Sequence, residues 1–130
     1  MTVYVFGNPD LPADSLPIRI LPELEKRLPR VQFVVKDPNE EWDVPEEFTV
    51  IDTVEGIENV TVFGDLTKFA AAPRVTMHDF DALTNLRYLQ KLGKLKKVTV
   101  IGIPAAAPED EALRSVVAAL LKSISSPTAL

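Results

Sequence analysis

The chain has 130 residues, 46% hydrophobic and 25% charged, with 14 basic against 19 acidic side chains and a net charge of −5. That is enough for one domain, spanning residues 1–130 around one core, and too acidic for a surface that neutralises phosphates, so no nucleic-acid partner is expected. The lack of cysteine excludes a disulfide framework, thiolate metal ligands and a cysteine nucleophile. No apolar run approaches the roughly 20 residues that span a bilayer, and MTVYVFGN has neither the basic start nor the cleavage site of a signal peptide. A cytoplasmic location without a membrane partner is the expectation.

In chain order, TVYVF (2–6) opens as a β-rich apolar run and ends in Gly7-Asn8. A polar, proline-rich loop carries Asp10 and Asp14 into a helix expected from about Ser15 to Leu28, with Leu16, Ile20, Leu24 and Leu28 along one side. Pro17 suits its first turn, whereas Pro22 predicts a kink or a late start. Further strands are expected at VQFVV (31–35), FTVI (48–51), NVTVF (59–63) and VTVIGI (98–103). DPNEEWDVPEE (37–47) reads as a polar surface loop with Trp42 as a lid over the core. A helix over about Asp79 to Leu92 ends at Gly93, and the basic KLGKLKK (91–97) complements its C-terminal dipole. The last helix places Leu113, Val116, Val117, Leu120, Leu121 and Ile124 on one stripe, with acids Glu109 to Glu111 in its first turn.

Most of the strand runs are continuous rather than alternating, the pattern of strands covered on both faces. With helices between them, they predict an α/β fold, a three-layer sandwich around a mainly parallel sheet. FTVI and NVTVF follow so closely that one of them is expected to run antiparallel at an edge.

Ligands of open α/β sheets bind beyond the carboxyl ends of the strands. That rule selects Asn8, Asp10 and Asp14 after the first strand, Asp37 after the second, Asp52 at the end of FTVI, and His78, the single histidine, in RVTMHD. Each has a structural alternative. Asp14 could cap the first helix, Asp52 could bond a turn, and His78 could be a structural hydrogen-bonder. Taken together, two carboxylates and an imidazole form an O,O,N set suited to a divalent transition metal with open positions, which is hydrolytic chemistry. Competing patterns are poor. Ser15, Asp52 and His78 lack a G-x-S-x-G elbow, and no G-x-G-x-x-G or P-loop follows the first strand.

In order, VYVFGNPDLPADSLPIRI (with Arg19 in the helix's first turns), VIDTV, VTMHD, a leucine-rich helix and KKVTVIGIP resemble the nickel–iron hydrogenase maturation endopeptidases. The match runs from about Val3 to Pro104. The resemblance implies an α/β fold and metal-contacting, catalytic positions at Asp14, Asp52 and His78; from their places after the first two strands, Asn8 is expected as a supporting donor at the cleft and Asp37 as a supporting acid. It also implies a monomeric endopeptidase that removes the C-terminal extension of a hydrogenase large-subunit precursor after nickel insertion. The nickel would arrive with the substrate, and other divalent cations would enter the same site in vitro. Several features depart from the family's pattern. The first-loop acid is commonly glutamate there, Ala13 replaces one member of an acidic pair, and Ser15, Pro17 and DPNEE stand where glycines are usual. A non-catalytic module of the same fold, binding a metal-loaded partner or a small anion, is the alternative reading.

Overall fold

The computed structural model of the protein describes residues 2–36, 47–54, 56–64 and 97–124. Their order is β1 (Thr2–Val5), a 3-10 turn (Pro12–Asp14), α1 (Leu16–Arg27), β2 (Gln32–Val35), β3 (Glu47–Val54), β4 (Thr61–Phe63), β5 (Lys97–Pro104) and α2 (Glu109–Ile124). The strands form one sheet in the order β2-β1-β3-β5-β4. Neighbours run parallel except β4, which lies antiparallel against β5. The mainly parallel sheet with an antiparallel end strand is therefore as expected. The predicted helix over 79–92, the basic segment before Lys97 and the Trp42 loop lie outside the described residues.

The continuous apolar runs have a physical reason: the sheet is buried on both faces. Successive strand residues point to opposite sides. Val3, Val5, Ile51, Ile101 and Ile103 join Leu16, Ile20, Leu24, Val116 and Leu120 in one core between the sheet and the two helices. On the opposite face Phe6, Val50, Val98 and Val100 are equally buried. Helices α1 and α2 pack against each other as well as against the sheet.

Helix α1 begins at Leu16 and runs through Pro22 without a late start. An interior proline costs about 3 kcal/mol. Beyond it, burying Leu24 and Leu28 contributes about 2 kcal/mol each, and Pro22 itself sits on the exposed side. Packing outweighs the lost hydrogen bond. On α2 the predicted stripe is shifted: Leu121 is 49% exposed, whereas Ala112 is fully buried with Leu113, Val116 and Leu120. The small alanine side chain lets the first turns of α2 lie close to the core, and the stripe turns away from it before Leu121.

At the middle of the sheet Gly102 faces both Asp52 on β3 and Thr61 on β4. A Cβ there would meet Val54 Cγ2 at 2.9 Å and Phe63 Cε2 at 3.0 Å. Gly102→Ala is expected to lower stability by about 1–3 kcal/mol through overpacking, measured by urea denaturation. Unchanged stability would mean that Phe63 can swing away freely.

Candidate active site

In the order β2-β1-β3 the chain leaves β1 for one side of it and later returns on the other. The junction of β1 and β3 is therefore the topological switch point, where open α/β sheets form their ligand crevice beyond the carboxyl ends. The strands around it are unequal. Pairing of β1 with β3 reaches Val5↔Ile51 and closes with Phe6 N–H donating to the Ile51 carbonyl at 2.9 Å. Pairing of β3 with β5 continues through Asp52↔Gly102 and Thr53↔Ile103 to Val54↔Pro104.

Asp52 therefore does not end its strand, as the sequence suggested; it lies two residues inside β3. The parallel ladder with β5 carries the strand onward, and only the β1 side falls away. Asp52 is 2% exposed, and its Oδ1 accepts the Thr53 backbone N–H at 2.9 Å. It belongs to the alternation of Val50 and Val54, opposite to Ile51 and Thr53.

The second acid comes from the loop after β1. Asn8 N–H donates to the Asp14 carbonyl at 2.9 Å, Leu11 N–H to the Asn8 carbonyl at 3.1 Å, and Asp14 N–H to the Leu11 carbonyl at 2.9 Å. The Asn8 side chain accepts Asp10 N–H at 2.9 Å, an Asx turn that tightens the entry. Asn8 is thus seen shaping the loop. Asp14 is 4% exposed, and Asn8, whose amide holds it, stands two residues past the Phe6 bond to β3. Both acids are buried at the same rim.

Asp14 is not the helix cap. Ser15 holds the N-cap position of α1 without making a side-chain cap. Its hydroxyl instead donates to the Pro12 carbonyl at 3.2 Å and accepts Arg19 Nε–H at 3.0 Å. Arg19 Nη1 then reaches Glu109 Oε1 at 2.7 Å on α2. That ion pair is about half exposed on both sides, so it contributes only about 0–1 kcal/mol to stability. The engaged hydroxyl also makes Ser15 a poor nucleophile.

Gly7 sets how closely the loop lies on α1. A Cβ would meet Ile18 Cγ1 at 2.9 Å and the Asp14 carbonyl oxygen at 3.1 Å, so glycine is needed for close approach. Beside Asp52, Thr53 is fully buried, and its hydroxyl has no hydrogen-bond partner among the described residues.

Past the ends of β3 and β5 lies a groove of about 450 Å³. Ile57 and Val60 line it from the β3–β4 connection, Ala105 and Ala106 from the turn after β5, and Glu111 and Ser115 from α2. Among the described residues no lysine or arginine lines it. Of the other expected site residues, His78 and Asp37 lie outside the described residues. Among the described residues no three His, Asp or Glu side chains form a metal-holding group, and no helix is long and apolar enough to cross a membrane. Gly7 and Thr53 were not singled out by sequence as parts of the site, and Ser15 entered only as a triad nucleophile that was set aside. Only Gly7, between an apolar strand and an Asx turn, carried a visible signal.

The sequence matches no family model and no curated protein. Solved structures do match. The hydrogenase maturating endopeptidase HybD from E. coli is 20% identical, with a TM-score of 0.64 over 95% of this chain and 94% of that one. The Hydrogenase 3 maturation protease is 16% identical, with a TM-score of 0.57 over 91% and 87%. An endopeptidase from Escherichia coli, solved in solution, is 16% identical, with a TM-score of 0.53 over 95% and 90%. The chain has the HybD-like α/β fold.

Gly7→Ala is expected to push the Asp14 backbone off its seat and cost about 1–3 kcal/mol. The amide shifts of Asn8 and Asp14 in an NMR spectrum would report the displacement, and unmoved shifts would refute it. Thr53→Val keeps the β-branched shape and removes the orphaned hydroxyl. It should raise stability by about 1 kcal/mol, and a fall would reveal a partner for that oxygen.

Proposed function

We propose that this chain is a hydrogenase maturation endopeptidase, cutting a C-terminal extension from a nickel-loaded large-subunit precursor. The observation that carries the reading is the pair of buried carboxylates, Asp14 and Asp52, at the switch point of a HybD-like sheet. Carboxyl groups buried at that rim suit a cation, because a positive charge favours the ionised form that burial alone disfavours. Their oxygen donors suit a hard or borderline divalent ion. In this reading the cation belongs to the substrate, and His78 supplies the nitrogen donor.

The chain's own part is to hold and orient. The self-bonded loop from Asn8 to Asp14 and the β3–β5 ladder keep the two carboxylates stationary, so that little reorganisation is needed when the precursor docks. In this reading the groove beyond β3 and β5 accommodates the substrate's polypeptide, with alanine walls that allow a backbone to come close. Hydrolysis then adds water across one peptide bond, leaving a new carboxylate on the large subunit and an amine on the released peptide. Asn8 and Asp37 are supporting residues in this scheme. The working form is a cytoplasmic monomer.

The decisive experiment mixes the protein with nickel-loaded and apo precursors and follows the precursor's mass. Loss of a C-terminal peptide from the loaded form alone is the expected result. Binding without cleavage would instead favour a non-catalytic module of the same fold, and neither binding nor cleavage would refute both readings. Asp14→Asn, Asp52→Asn and His78→Ala should each fold normally and reduce cleavage by on the order of 100-fold. If His78→Ala chiefly unfolds the protein, its role is structural. Ala106→Trp, which fills the groove from an exposed position, should raise KM while leaving thermal stability unchanged; an unaltered KM would remove the groove from the substrate path.

A further inference from the structure

We infer that Arg19 is a positioning residue for the Asp14 loop, a clasp that fixes it against the far side of the same rim. The inference rests on the proposed role of Asp14, and the geometry is independent of it. Among the described residues the loop is also bonded within itself: Asn8 to Asp14, Leu11 to Asn8, Asp14 to Leu11, Asp10 to Asn8 and Ser15 to Pro12. Such a loop is stiff within itself but could still rock as a unit on its two ends. Arg19 supplies a tether to the second helix. Its guanidinium spans from Ser15 Oγ, next to Asp14, to Glu109 Oε1, next to the groove-lining Pro108.

Two features mark this as placement rather than stabilisation. The Arg19–Glu109 pair joins residues 90 apart in sequence yet is half exposed, where an ion pair adds little to folding. Ser15 stands where a serine would ordinarily cap a helix, and its hydroxyl has been diverted from the backbone amides to Pro12 and Arg19. A good cap is given up to make the connection. Only a forked, planar donor can serve both ends, with Nε on one acceptor and Nη1 on the other.

The test compares wild type with Arg19→Ala, Arg19→Lys and Glu109→Ala by amide hydrogen exchange, thermal melting and precursor cleavage. In Arg19→Ala the amides of Asn8 and Asp14 should exchange about tenfold faster, while those of Leu24 and Ile101 keep their rates and Tm falls by less than about 4 °C. Arg19→Lys should fail to restore protection, and Glu109→Ala should show the same change at smaller size. Cleavage by Arg19→Ala should lose about tenfold in kcat with KM unchanged. Unaltered loop exchange, acceleration spread equally to Leu24 and Ile101, or full rescue by lysine would each overturn the clasp. If Asp14→Asn cleaves normally, the active-site reading fails, while the exchange data still decide what Arg19 does.

Discussion

The parallel ladder between β3 and β5 runs on for three pairs after β1 has left the sheet. This inequality creates the rim on which the rest depends. Where β1 departs, β3 loses a neighbour on one side and keeps it on the other, so Asp52 stays in regular strand geometry beside the gap that β1 leaves in the ladder. A strand paired on one side is still held along its length, and its side chains keep their alternation. The gap is thereby bordered by rigid backbone rather than by a loose end. The chain leaving β1 turns immediately through Gly7 into the loop that carries Asp14.

The energetics of this arrangement point in one direction. Two carboxylates buried to within a few per cent are costly in a small domain whose net stability is of the order of 10 kcal/mol. The core between the sheet and the two helices supplies the excess: Leu16, Leu24, Val116 and Leu120 are fully buried against it. Each region thus does one job. The helix face stabilises, and the rim is allowed to be polar and dry. The same division explains why an interior proline in α1 is tolerated, since burial on either side of Pro22 outweighs one missing hydrogen bond.

Likeness to HybD at 20% identity and a TM-score of 0.64 shows how little of a fold of this kind depends on particular side chains. What must persist is apolar content on both faces of the central strands and a stripe on each flanking helix. Many sequences satisfy that. The polar details at the rim are free to vary. In this protein the segment from Asn8 to Ser15 forms a loop stiffened by its own hydrogen bonds.

Local pattern determined a good deal by itself. The apolar runs marked all five observed strands, and the four-residue spacing of Leu16, Ile20, Leu24 and Leu28 identified the buried side of α1, because both signals are periodicities that each segment carries internally. Asp14 and Asp52 were legible as acids beside strand ends. Three things were decided only by tertiary structure. Strand β3 passes through Asp52 because a partner 50 residues away extends it, Leu121 is half exposed because the core ends before it, and Ser15 serves Arg19 and Pro12 rather than its own helix. Each depends on a neighbour distant in sequence or on the limits of the packed interior, and no short-range pattern of residues encodes where such neighbours will be.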